Sequence, residues 1–248
     1  MLLWRLSDNM KIDLNNRIAL VISGTSKLGT AICKQLSESG AQVITNYQSE
    51  DIHEWQNILS KSDLNITAIK SDITDFDECV KLVDKIEKDF GPIDIIVNSN
   101  ELNNSLVPFN EMDIEQWNDA ITGNIDILFN VCRNVAERMC NRGFGRIINI
   151  SSIISRMGAP ERSHVAAANS GIHGFSMALS QEVGKKGVTV NTVSPGLLNQ
   201  SINTPTKAIP DNQNKENEVA YLVDFLCSDL AGHINGADIS INGGEYLH

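Results

Sequence analysis

Short runs rich in β-branched residues recur along this chain, each bounded by polar residues and several followed by a stretch with helical spacing. They are Arg17 to Ser23 (RIALVIS), Ala41 to Tyr47 (AQVITNY), Ile66 to Lys70, Pro92 to Val97 (PIDIIV), Ile147 to Ile150 within GRIINIS, and Val188 to Val193 (VTVNTV). Apolar runs of this length read as buried parallel strands. Parallel neighbours need a crossover, usually a helix. The segments between the runs supply it: Phe76, Cys79, Val80, Val83 and Ile86 follow the i, i+3, i+4, i+7 pattern. The alternation restricts the chain to the α/β class, as one doubly wound domain with helices on both faces of a parallel sheet. At 248 residues and 42% hydrophobic it can bury one large core. Residues 12–248 are expected to form that domain, and residues 1–11 an N-terminal extension.

After RIALVIS comes GTSKLG, then TAICKQLSESG with helical spacing at Ile32, Leu36 and Ser39. Strand, glycine turn and helix make the opening of a Rossmann-type βαβ unit. Gly24 and Gly29 let a dinucleotide pyrophosphate approach the backbone, or serve only a tight strand-to-helix turn.

The formal net charge of −11 argues against nucleic acid or an anionic membrane as partner. Five cysteines without CxxC or CxxH spacing read as reduced thiols in a cytoplasmic protein, with no metal site. The N-terminus has too short an apolar run for a signal peptide, and nothing later approaches a transmembrane span.

The stretch from Gly145 to Gly174, GRIINISSIISRMGAPERSHVAAANSGIHG, resembles the catalytic segment of the short-chain dehydrogenases/reductases, in particular the 3-oxoacyl-carrier-protein reductases. The resemblance implies a serine at Ser152, a tyrosine thirteen residues later and a lysine four beyond that. Those positions hold Val165 and Asn169. In the family the tyrosine hydroxyl moves the carbonyl proton while the lysine lowers its pKa and holds the nicotinamide ribose. Valine and asparagine can do neither, and losing a positioned general acid typically costs about 10²–10⁴ in rate.

Other departures follow the same direction. The glycine loop lacks the family's middle glycine, Glu101 stands where relatives have glycine, and Gln200 replaces a threonine that grips the nicotinamide amide. The segment 201–218 looks shorter than the family's substrate lid. Asn98 keeps a strand-bracing position. The resemblance implies a 2′-phosphate contact for Lys27, which is otherwise a solvated turn lysine, and an adenine-edge contact for Asp72, which otherwise caps the helix that follows. Trp117 and Asn124 keep the family's register on a helix expected over Asp113 to Met139, where Asn124 is either a water-holder in a proton relay or a former of a helix bend. Pro195-Gly196 also matches, and the closing GADISINGGEYL matches the family's seventh strand, so the resemblance implies a sheet of about seven parallel strands. His164, beside the vacant tyrosine position, is either a substitute acid or a surface or interface histidine. His173 has no carboxylate partner visible in the sequence.

From this pattern the leading expectation is a degenerate homologue without oxidoreductase activity or cofactor. It would assemble with itself as a dimer or tetramer, or with an active paralogous reductase. One alternative is non-redox chemistry on an acyl or polyketide-like substrate through Ser152, Asn124, His164 and Glu101. The other is an NADP- or NAD-dependent 3-oxoacyl reductase with a substitute proton donor.

Overall fold

The computed structural model describes residues 12–48, 52–59, 63–100, 106–196 and 215–247. The N-terminal extension, Glu101, Gln200 and most of the lid segment lie outside these.

Seven strands among the described residues form one parallel sheet: β1 (Ile18–Ile22), β2 (Gln42–Tyr47), β3 (Ile66–Lys70), β4 (Ile95–Asn98), β5 (Gly145–Ile150), β6 (Val188–Pro195) and β7 (Asp238–Ile241). Their order is β3-β2-β1-β4-β5-β6-β7. The chain steps outward from β1 to β3, then returns to lay β4 on the other side of β1. The strand order reverses there, and the crevice that opens at the carboxyl ends of β1 and β4 is where open α/β sheets bind ligands.

Every residue of β1, β4, β5 and β6 is buried, as their β-branched composition requires. Helices α1 (Lys27–Glu38) and α8 (Lys215–Cys227) cover one face of the sheet, burying Leu28, Ile32, Leu36, Val219, Val223 and Leu226 against Ala19, Val21 and Ile95. Helices α3 (Phe76–Asp89), α5 (Ile127–Arg142) and α7 (Ser163–Val183) cover the other face. Short α2 (His53–Leu59), α4 (Ile114–Ile121) and α6 (Ile154–Met157) complete the set among the described residues. The doubly wound expectation is met. In α3, Cys79, Leu82, Val83 and Ile86 form the buried stripe, while Phe76 at the first turn stays exposed against the expected pattern.

The helix expected over Asp113 to Met139 is not continuous. It starts at an Asp113 and Gln116 capping box, runs as α4, widens into a π turn over Thr122–Asp126, and resumes as α5. The Asn124 side chain sits in the widened turn and donates from Nδ2 to the Ala120 carbonyl at 2.7 Å. Competition of this kind from a short polar side chain, next to Gly123, is what lets the regular ladder open.

Candidate functional site: the crevice at the strand switch

The glycine turn packs tightly. A Cβ on Gly29 would lie 2.3 Å from the Ser23 carbonyl oxygen and 2.6 Å from the Gly24 Cα, both backbone. A Cβ on Gly24 would meet Thr45 Oγ1 at 2.4 Å. Ser23 adopts a left-handed conformation (φ 56°) and its amide donates to Asn46 Oδ1. Ser26 caps α1 by accepting from the Gly29 amide at 3.0 Å. Both glycines are thus required by packing alone, and together they bring the α1 N-terminus, with its unpaired amides, to the crevice.

Lys27 reaches over to Glu216 at the start of α8 and forms an ion pair there at 2.5 Å. Asp72 is not the helix cap: Asp75 holds that place, accepting from the Glu78 amide. Asp72 Oδ1 instead accepts from the Thr74 amide and hydroxyl and from Gln48 Nε2, at 2.6 to 3.0 Å. The Thr74 hydroxyl chiefly holds its carboxyl below the ordinary range; burial opposes it, and the Thr74 amide and Gln48 add to the lowering.

On the far wall, Asn98 ends β4 in register with Ile22 and Asn149. Its Nδ2 donates to Asn149 Oδ1 at 2.8 Å, Asn149 Nδ2 donates to Ser176 Oγ, and Ser176 Oγ donates to the Ile172 carbonyl. This chain ties β4 and β5 to α7. Asn98 Oδ1 and the next residue's Ser99 Oγ are buried with no partner. Unpaired buried polar atoms are rare and costly, and two of them at the switch point fit a polar ligand there.

At the end of β5, Ser152 Oγ accepts from the Ile154 amide at 3.3 Å, and among the described residues no protein group takes its proton. Val165 and Asn169 are both wholly buried in α7. Asn169 Nδ2 donates to the Val165 carbonyl at 2.9 Å and its Oδ1 accepts from Ser151 Oγ at 3.1 Å. The amide is therefore spent inside the helix and on β5.

His164 departs from the surface or interface position expected of it. It is 2% exposed, and neither ring nitrogen has a partner. Burial first, then the positive charge of Arg162, push its pKa below the ordinary imidazole range, so the ring is neutral at pH 7 and offers one donor and one acceptor. His173 does have a carboxylate partner, Asp238 on β7, at 3.1 Å from Nδ1. That contact joins residues far apart in the chain and exists only once β7 is laid beside β6.

No helix among the described residues is long and apolar enough to cross a membrane, and no group of three or more His, Cys, Asp or Glu side chains converges to hold a metal ion. The described cysteines are free, and four of the five are buried.

Comparison with known proteins agrees with this geometry. The profile of the family described as short chain dehydrogenase matches residues 17–210. An acetoacetyl-CoA reductase of Allochromatium vinosum is 36% identical over 245 residues, covering 94% of this chain and 99% of its own. Nodulation protein G of Azospirillum brasilense is 35% identical over 243 residues, covering 93% and 98%. The 3-oxoacyl-[acyl-carrier-protein] reductase FabG of Escherichia coli is 32% identical over 249 residues, covering 95% and 100%. These relatives overturn the expectation that no cofactor belongs here: reductases of this kind draw their hydride from NAD(P)H. By its matched profile and by its likeness to these reductases along nearly its whole length, the chain belongs to the short chain dehydrogenase family.

Proposed function

We propose that this protein is an NAD(P)H-dependent reductase of 3-oxoacyl thioesters in which His164 supplies the proton that a tyrosine hydroxyl supplies in the family pattern. The observation that carries the reading is the His164 ring, buried beside Val165 with both nitrogens unpartnered. A buried imidazole without a bond costs about 1–3 kcal/mol, a cost relieved when a substrate oxygen or a water bonds to it.

Gly24, Gly29 and the α1 N-terminus would receive the pyrophosphate, and Asn98 and Ser99 the adjoining ribose. Asp72, exposed beyond β3, is the group available to the adenine edge. A dinucleotide held by these residues would supply the hydride that reduces the substrate carbonyl. Ser152 donates its unused hydroxyl proton as a hydrogen bond to the carbonyl oxygen. His164, in its protonated form, donates to the same oxygen and delivers the proton. Asn124 keeps Oδ1 for a water beside it, since only its Nδ2 is committed. Lys27, already paired to Glu216, gives no strong bias towards a 2′-phosphate, so either dinucleotide is expected to serve.

The test is steady-state reduction of acetoacetyl-CoA with NADPH and with NADH. Wild type should turn over, and His164→Ala should lose about 10²–10⁴ in kcat with the dinucleotide Kd unchanged. An inactive wild type that gains ketone reduction from Val165→Tyr with Asn169→Lys would reject His164 as donor.

A second reading has its own support. Asn169 is consumed by Val165 and Ser151, so the described crevice holds no cation where the family holds its lysine. A subunit of this kind would serve as a silent partner in a homo-oligomer or beside an active reductase. Phe129 on α5 and Met177 on α7, each about half exposed, are the apolar groups such an assembly would cover. Sedimentation together with the cofactor titration separates the readings: a silent subunit associates but leaves its tryptophan fluorescence unchanged on addition of NADPH.

A further inference from the structure

We propose that Ser155, His173 and Asp238 form a second reactive site, an acyl-transfer centre that hydrolyses small carboxylic esters or thioesters. It is built where α6, α7 and the β6–β7 edge meet, and it adjoins Ser152, whose carbonyl accepts from Ser155 Oγ.

The three groups stand in the order nucleophile, base, orienter. Ser155 Oγ lies 2.8 Å from His173 Nε2, and His173 Nδ1 lies 3.1 Å from Asp238 Oδ2. Both distances suit a serine activated by a histidine that a buried carboxylate holds in place. Asp238 is itself fixed, accepting from Ser194 Oγ at 2.6 Å and from Arg156 Nε at 2.8 Å. With Nδ1–H directed at Asp238, the lone pair of Nε2 faces the serines.

Two hydroxyls approach that nitrogen. Ser151 Oγ, at 2.9 Å, is buried and has Asn169 Oδ1 to receive its proton. Ser155 Oγ has its proton within reach of both the Ser152 carbonyl, at 2.6 Å, and Nε2, so rotation of one hydrogen passes from the resting bond to the reactive one. Only Ser155 of the two opens on a cavity, of about 340 Å³, which Arg156, Ser170, His173, Met177 and Asp238 also line. Met177 gives an apolar wall for an acyl chain, and Arg156, ion-paired to Asp238, lines the same cavity.

Chemically, Ser155 Oγ bonds to the acyl carbon while its proton passes to His173 Nε2. The C–O or C–S bond to the leaving group breaks, and that group takes the proton from Nε2. Water then repeats the sequence and releases the acid. The net reaction is hydrolysis and needs no oxidant or reductant.

The protein, without dinucleotide, should release p-nitrophenol from p-nitrophenyl acetate with a burst, and mass spectrometry of the trapped protein should place one acetyl group on Ser155. Ser155→Ala should abolish the burst and the adduct. His173→Gln should slow acylation by about 10²-fold or more. Ser155→Cys, close in size, keeps the contact network and should carry the acetyl group as a thioester. Absence of an acetyl adduct on wild type, an adduct at any residue other than Ser155, or hydrolysis unaffected by His173→Gln would each overturn the proposal. None of these readouts depends on reductase activity.

Discussion

Replacing Asp238 by Asn removes a charge that the surrounding groups are arranged to hold. Burial pushes the Asp238 carboxyl up, but the hydrogen bonds from His173 and Ser194, the nearby His173 charge and the bond from Arg156 outweigh it, bringing the pKa from 3.8 to about 2. The side chain is 12% exposed, so solvent screens little of this. At about 1.4 kcal/mol per pH unit, the depressed value corresponds to about 2 kcal/mol of stability above pH 5. The folded pKa lies below the unfolded one, so that contribution is present above the unfolded value and is lost as the pH falls through the folded one. By pH 3 about half should be gone. Urea unfolding of wild type and Asp238→Asn between pH 7 and pH 3 measures it. The gap between the two midpoints, converted with the m-value, should be near its full size at pH 5 to 7 and narrow towards pH 3. A gap that stays constant down to pH 3, or that is absent at pH 7, would refute the account of Asp238 as a carboxylate stabilised in its charged form.

Gly29→Ala places a methyl group 2.3 Å from the Ser23 carbonyl, and backbone cannot swing aside as a side chain can. It should cost about 1–3 kcal/mol and weaken dinucleotide binding, read by thermal melting and fluorescence titration. Asn98→Leu strands Asn149 Oδ1 in the core and should lower stability by about 1–3 kcal/mol, as followed by denaturant unfolding. Among the thiols, burial pushes Cys132 up to about 12 and Cys79 to about 11, and raises Cys33 and Cys227 further. A thiol reagent at pH 8 should therefore modify only Cys140 rapidly in the native protein and all five after denaturation. If the charged His164 ring is the proton donor, its lowered pKa requires kcat to rise as the pH falls below the ordinary imidazole value. His164→Gln should flatten that rise, and a profile shared by wild type and variant would remove the assignment.

Much of the fold was legible because a buried parallel strand leaves a local signature. RIALVIS and PIDIIV announce β1 and β4 without reference to any other part of the chain, and the i, i+3, i+4 spacing does the same for α3. The Asp113 to Met139 segment was legible in part: its spacing reads as one helix and Asn124 offered a bend, while the π turn itself depends on that side chain finding the Ala120 carbonyl. The site was legible in position rather than in partners. Ser152, Gly24 and Asn98 stand at or just beyond strand ends that the pattern locates, and Gly29 in the first turn of the helix that follows β1. The state of His164 depends on burial by distant elements, so its neighbours in sequence point as readily to a surface residue. The pairing of His173 with Asp238 was out of reach altogether, because it spans the β6 to β7 connection and carries no local spacing. Cofactor use was misjudged for a related reason: missing side chains were counted against binding, whereas much of a dinucleotide's hold on such a crevice comes from backbone amides and close approach.

The π turn at Thr122–Asp126 holds one residue more than regular geometry would accommodate. Removing that extra residue would let α4 and α5 fuse into a smooth rod, with α4 rotated by about 100° against the face it shares with α7. Local helical regularity thus favours a shorter chain at this point, and whatever preserves the longer one must act from outside the helix, through the docking of α4 or through the use made of Asn124 at the crevice.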